Sequence, residues 1–163
     1  MGWVSNFKKH ISKFFIGFLF YQSERVGKNG VCFKLWKFRS MVKGADKNGS
    51  LSVSSTDARV TFIGKILRKT KLDELPNLIN ILKGDMRLIG PRPEVPYYID
   101  KLSEKERKVI LSVRPGCIDI ATLLNLNEGK LLSKGMDYDN DIWPRKVKVQ
   151  YYSILLWKAI KSF

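Results

Sequence analysis

Residues 68–93 read Arg-Lys-Thr-Lys-Leu-Asp-Glu-Leu-Pro-Asn-Leu-Ile-Asn-Ile-Leu-Lys-Gly-Asp-Met-Arg-Leu-Ile-Gly-Pro-Arg-Pro. Leu72, Leu75, Leu78, Ile79 and Leu82 fall at helical spacing. Gly84 closes that pattern, with Lys83 in its last turn where the helix dipole favours a cation. Pro76 has no N–H to give, and only the first four helical N–H groups go without a carbonyl partner. The helix therefore starts no earlier than about Leu72, which puts Asp73 and Glu74 in its first turn. The positive end of the dipole stabilises a carboxylate there by roughly 0.3–1 kcal/mol and also attracts phosphate. Asp73 is thus expected to be ionised at neutral pH, its reference pKa of about 3.9 lowered if anything.

An ionised carboxylate can attack phosphorus, and a neighbouring one can hold Mg²⁺ through oxygen. Asp73 is the candidate for the first task and Glu74 for the second, the metal drawing charge off a diphosphate. Arg92 stands between Pro91 and Pro93, which restrict the backbone on both sides and suit its planar fork to phosphate. Taken singly, these are also ordinary residues: acids at a helix start, an arginine in a turn, and Lys37 and Arg68 as surface cations. The segment says more than its parts.

The surrounding composition narrows the chemistry. Thirty Lys+Arg against 15 Asp+Glu give a net charge of +15, so polyanions are the natural partners: nucleic acid, an anionic membrane or phosphorylated small molecules. His10 is the one histidine, in the basic run Lys8-Lys9-His10, which leaves no Ser–His–Asp, Cys–His or His-rich metal site. Cys32 and Cys117 have no zinc or CxxC spacing and read as reduced thiols. With 163 residues and 44% hydrophobic content, residues 1–163 make one domain with a real core. The apolar run at 14–21 would cover only about 12 Å as a helix, against a hydrocarbon core of ~30 Å. No signal-peptide pattern opens the chain.

Outside the central helix, 18–26 and 31–38 read as two strands joined through Gly27-Lys28-Asn29-Gly30, a hairpin signal. Residues 43–56 are polar and Gly/Ser-rich, as in a loop. Ile63, Ile66 and Leu67 mark a short helix over 62–69. Ser103 and Glu106 form a capping box for a helix to about Ser112, and Arg114-Pro115-Gly116 is a turn. Alternation from Ile118 to Leu126 predicts a strand, and Pro144 opens a last amphipathic helix over 143–163. Its mixture of aromatic and basic residues, like that of 3–15, suits a membrane surface or packing on the domain.

Seven stretches, in order, carry a family resemblance: Glu24-Arg25-Val26-Gly27, Lys37-Phe38-Arg39-Ser40-Met41, Asp57-Ala58-Arg59-Val60-Thr61, Leu72-Asp73-Glu74-Leu75-Pro76, Lys83-Gly84-Asp85-Met86, Gly90-Pro91-Arg92-Pro93-Glu94 and Arg114-Pro115-Gly116. Over about 18–120 the chain resembles the catalytic domain of the bacterial sugar transferases, the monotopic phosphoglycosyltransferases. The resemblance implies transfer of a sugar-1-phosphate from a nucleotide diphosphosugar, such as a UDP-sugar, to polyprenyl phosphate, starting a surface glycan. It implies that Asp73 is the nucleophile of a covalent phosphosugar intermediate and that Glu74 is its partner, linked to Mg²⁺. It places Lys37, Arg68 and Arg92 around the donor phosphates and nucleotide.

Two departures stand out. The family's long apolar N-terminal segment, which dips into the membrane and leaves on the same side, is expected to be missing or replaced by the basic, aromatic residues 1–16. After Pro115-Gly116 the family usually has Ile-Thr, where this chain has Cys117-Ile118. The reading is a helix-rich α+β domain with a short β-hairpin and membrane-surface helices, on the cytoplasmic face of the inner membrane. An inactive membrane-peripheral scaffold with the same fold is the alternative. A nucleic-acid binder is disfavoured, because the basic residues are spread along the chain and no nucleic-acid motif appears.

Overall fold

β1 (Phe20–Val26) and β2 (Cys32–Phe38) pair antiparallel, from Phe20 opposite Phe38 to Val26 opposite Cys32. The turn between them works as the Asn-Gly pair requires, with Asn29 at φ 58° and Gly30 at φ 79°. The computed structural model describes residues 17–45, 57–119, 131–132 and 134–161. The readings of 3–15 and of the strand beyond Asp119 lie outside these residues.

Arg59 joins the two sides of segment 46–56. Its guanidinium grips the Asp57 carboxylate, with Nη2 2.7 Å from Oδ2, and Nη1 donates to the Ala45 carbonyl at 2.7 Å. The guanidinium bonds to the carboxylate, with the Arg59 backbone N–H donating to Oδ1 at 2.9 Å, hold the Asp57 carboxyl down at about 2. Next comes α1 (Phe62–Thr70), capped by Thr61, whose Oγ1 accepts from the Gly64 N–H at 2.9 Å. Lys71 ends α1 in the left-handed region at φ 61°, and the chain re-enters a 3₁₀ turn over Leu72–Glu74. α2 (Asn77–Leu82) continues it. The helical segment thus begins at Leu72 as the proline argument requires, but its first turn is wound 3₁₀.

The apolar stripe of this segment faces outward. Asp73, Pro76, Asn77 and Asn80 are its buried residues, at a spacing of three, one and three, while Leu72, Leu75, Leu78 and Leu82 are exposed. Helical periodicity identifies residues that share a face, and here the inward face is the polar one. α1 behaves alike, with Gly64 buried and Phe62, Ile63 and Ile66 exposed.

β3 (Arg87–Ile89) lies parallel to β4 (Gly116–Ile118), and between them in sequence come α3 (Pro96–Asp100) and α4 (Glu104–Ile110). The capping box opening α4 is formed in both directions. A π-turn over Tyr138–Ile142 leads into α5 (Trp143–Lys161). The core gathers Tyr98, Ile99, Leu102, Ile110, Val113, Ile142, Trp143, Val147 and Ile154 behind the hairpin. Tyr98 packs on Trp143 with ring centroids 4.8 Å apart. Along α5 the apolar residues keep no single stripe. Its first half buries Lys146 and Gln150 beside Val147, and its last turns expose Leu156 and Ile160. Trp157 stacks under the Arg87 guanidinium at 5.0 Å, tying those turns to β3. Two short sheets among several helices make this an α+β fold.

Candidate active site

Lys37 shares a face of β2 with buried Leu35, so its side chain is directed at the helical segment. Its Nζ lies 2.9 Å from Glu74 Oε1, in a pair about four-fifths shielded from water. A bridging amide sets this register. Asn80, 1% exposed, accepts from the Trp36 N–H through Oδ1 at 3.1 Å. Its Nδ2 donates to the Lys34 carbonyl at 2.8 Å and to Asp85 Oδ2 at 3.1 Å. The amide thus supplies β2 with the bonds a further strand would have given, and it locks helix to hairpin.

Arg68, near the end of α1, donates through Nε to Ser40 Oγ at 2.9 Å. The approach of α1 to Ser40 depends on Gly64, since a Cβ there would sit 1.9 Å from the Ser40 carbonyl oxygen. Arg92 follows Pro91, whose carbonyl accepts from the Gly116 N–H at 2.8 Å, and precedes Glu94, whose carbonyl accepts from the Val26 N–H at 2.9 Å. The Pro-Arg-Pro loop is therefore pinned on both sides. Arg114-Pro115-Gly116, read from sequence as a separate turn, is part of that pinning.

These contacts bring Lys37 within electrostatic reach of both carboxylates, Arg68 within reach of Asp73, and Arg92 within reach of Lys37 and Glu74. Asp73 is 8% exposed. Burial raises its carboxyl above the ordinary value, and Lys37, Arg68 and Lys71 only partly offset that. The expectation of a lowered pKa is reversed here: desolvation, with Glu74 beside it, outweighs the nearby cations. Burial also pushes Glu74 upward, but Lys37 and Arg92 prevail and its carboxyl lies below its usual range. Burial lowers the Lys37 ammonium, with Glu74 opposing. Two adjacent carboxylates thus have opposed environments, one charge-paired and one starved of water.

Among the described residues no group of three or more His, Cys, Asp or Glu side chains gathers as a metal cage. Glu74, with one oxygen taken by Lys37, suits an ion that accepts one protein carboxylate and completes its shell with water and phosphate oxygens. Mg²⁺ commonly binds in that way.

Sequence reasoning missed Asn80 and Ser40, which orient the site without belonging to it, and gave no separate role to Arg25. Burial and Arg92 both disfavour the Arg25 charge, while Glu94 supports it. The signal for Asn80 was present, since Asn77 and Asn80 are one helical turn apart inside a leucine-rich segment.

A carboxylate pair at a helical start thus lies among cations from the hairpin, α1 and the Pro-Arg-Pro loop, a charge arrangement that phosphate oxygens can satisfy. The family model of the bacterial sugar transferases matches residues 10–163, and the chain belongs to that family. It is 52% identical over 85 residues to a Bacillus subtilis protein provisionally named an undecaprenyl-phosphate N-acetylgalactosaminyl 1-phosphate transferase, covering 52% of this chain and 48% of that one. It is 43% identical over 89 residues to the Aeromonas hydrophila UDP-N-acetylgalactosamine-undecaprenyl-phosphate N-acetylgalactosaminephosphotransferase, covering 55% of this chain and 21% of the other. A Salmonella typhimurium undecaprenyl-phosphate galactose phosphotransferase is 33% identical over 138 residues, 76% of this chain and 27% of its own. The chain therefore spans about half the length of the first of these relatives and about a quarter or less of the other two.

Proposed function

We propose that this chain transfers a sugar-1-phosphate from a nucleotide diphosphosugar to polyprenyl phosphate. The observation that carries the reading is Asp73, a buried carboxylate with a raised pKa among Lys37, Arg68 and Lys71. A poorly hydrated carboxylate is more basic and gives up less water on attack. In this reading an Asp73 oxygen attacks the sugar-bearing phosphorus, and the bond to the bridging oxygen breaks to release the nucleoside monophosphate. A phosphate oxygen of the polyprenyl acceptor then attacks the same phosphorus and expels the Asp73 carboxylate. Lys37, Arg68 and Arg92 neutralise the donor phosphates during both steps. Mg²⁺, held by Glu74, would draw charge from the diphosphate.

Release of UMP from a panel of UDP-sugars with undecaprenyl phosphate and Mg²⁺ tests the reaction. Mass spectrometry with donor alone tests the covalent step. Turnover without any adduct would leave the transfer standing and remove the aspartyl intermediate. Glu74→Gln is expected to lose most activity and to respond weakly to Mg²⁺, because the amide neither coordinates as a carboxylate does nor balances Lys37. An unchanged Mg²⁺ titration would take Glu74 out of the metal site.

The membrane contact belongs to the same proposal. No helix among the described residues is long and apolar enough to cross a bilayer. Phe62 (80% exposed), Ile63, Ile66, Leu78 and Leu82 (88%) are nevertheless turned outward, with Lys65, Lys69 and Lys83 exposed on the same helical stretches. Apolar side chains interspersed with lysines suit the headgroup boundary on the cytoplasmic face, where the acceptor's phosphate would lie. In vesicle flotation the protein is expected to bind anionic vesicles and to be only partly released by high salt, since salt screens just the cationic part. Phe62→Glu/Leu82→Glu is expected to abolish the salt-resistant fraction. Undiminished flotation of that variant would place the contact elsewhere on the chain.

A further inference from the structure

Lys146 is 1% exposed, a rare position for an ammonium, and it lies on the buried side of α5 far in sequence from the carboxylate pair. Its Nζ is 3.2 Å from Glu94 Oε1 and 3.4 Å from the Tyr138 hydroxyl, with the Tyr138 ring centroid at 5.7 Å. Glu94 is 7% exposed and Tyr138 8%. A pair so far from water is weak grounds for stability, because apolar side chains of similar volume generally serve the fold as well or better. What an ion pair adds is direction: it fixes one rotamer and one register where methylenes would tolerate several.

The thing directed is the Pro-Arg-Pro loop. Glu94 ends it, and its carbonyl accepts from the Val26 N–H, so one residue is held by β1 through its backbone and by α5 through its side chain. At the other end Pro91 is held by Gly116. On the strand beside Val26, Arg25 is close enough to feel Arg92 as a repelling charge and Glu94 as an attracting one. The Glu94 carboxylate thus faces the Arg25 guanidinium and the buried Lys146 ammonium at one corner of the molecule.

We propose that Glu94 and Lys146 are positioning residues, which set Arg92 against the Lys37–Glu74 pair by tethering the Pro-Arg-Pro loop to the C-terminal helix. The inference rests on the phosphate-binding reading of Arg92, so its tests include one that needs no turnover. In the unmodified protein the Val26 and Gly116 amides, which donate to the Glu94 and Pro91 carbonyls at the two ends of the loop, should exchange hydrogen as slowly as core amides such as that of Ile154. Exchange of these two amides orders of magnitude faster than the core would show that the loop opens on its own, and would overturn the proposal.

The second test is Glu94→Met/Lys146→Met, which removes the charges as a pair and keeps the volume. Its thermal stability should match or exceed that of the native protein. Its Val26 and Gly116 amides should exchange faster with the core unchanged, and KM for the donor should rise about tenfold. KM for the lipid acceptor should stay the same. In the background of Arg92→Lys, the pair replacement should add little, because the loop then has nothing left to aim. Wild-type donor KM in the double Met variant would overturn the positioning role while leaving the reaction intact. Absence of turnover in the native protein would instead fault the reaction, with the exchange measurement still deciding the tether.

Discussion

Asp73→Asn is expected to abolish turnover and the covalent adduct while leaving the protein at least as stable as the native one. The amide keeps the shape of the carboxylate but has no anionic oxygen with which to attack phosphorus. The stability half follows from the raised pKa. A raised folded-state value means that the fold favours the neutral carboxyl. The favourable contribution is complete below the unfolded value, near 3.8, and is lost as pH rises through the folded one. At neutral pH the native fold therefore carries an unfavourable buried charge, which asparagine removes. Melting temperatures should favour the variant at pH 7 and converge in acid. The same shift moves the acid limb of kcat/KM above pH 3.8, since the attacking group must be ionised. More than a few per cent of native activity in a folded Asp73→Asn protein would remove Asp73 as the nucleophile. A variant clearly less stable at pH 7 would show that Lys37, Arg68 and Lys71 outweigh burial after all.

The features legible in the sequence are the local ones. Asn29-Gly30 specifies the hairpin because few other pairs accept positive φ, and Ser103 and Glu106 specify a helix start because each satisfies an N–H of the other. Pro76 limited the helical segment for the same kind of reason. The direction in which that segment faces was not legible. A leucine period marks a face and is silent on whether protein or something else covers it, and here Asp73, Asn77 and Asn80 turn inward. Nor could the sequence show that Asp73 is desolvated, because the strand packed against its turn is β2, which is distant in the chain. Lys146 looked like one of several lysines on a basic helix, and only the position of Glu94 opposite it gives it a task.

Gly116→Ala is expected to cost both stability and activity, and it tests how the site is carried by the fold. A Cβ at Gly116 would lie 2.0 Å from the Gly90 nitrogen and 2.6 Å from both the Gly90 Cα and the Ile89 carbonyl carbon. All three are backbone atoms and cannot swing away as a side-chain end would. Overpacking costs about 1–3 kcal/mol where side chains can adjust, so a clash with backbone belongs at the upper end of that range. For a chain of this length that is a fall in melting temperature of roughly 5–10 °C. The strands relieve the overlap by moving apart, which lengthens the 2.8 Å bond from the Gly116 N–H to the Pro91 carbonyl. Arg92 is the next residue, so in its proposed phosphate-binding role a shift of about 1 Å should lower kcat/KM by ten- to a hundredfold in the protein that remains folded. Gly17→Ala is the matched control, since a Cβ there meets nothing within 4 Å. Native melting and kinetics in Gly116→Ala would mean that β3 and β4 do not cross this closely and that the Pro-Arg-Pro loop takes its position from Glu94 alone.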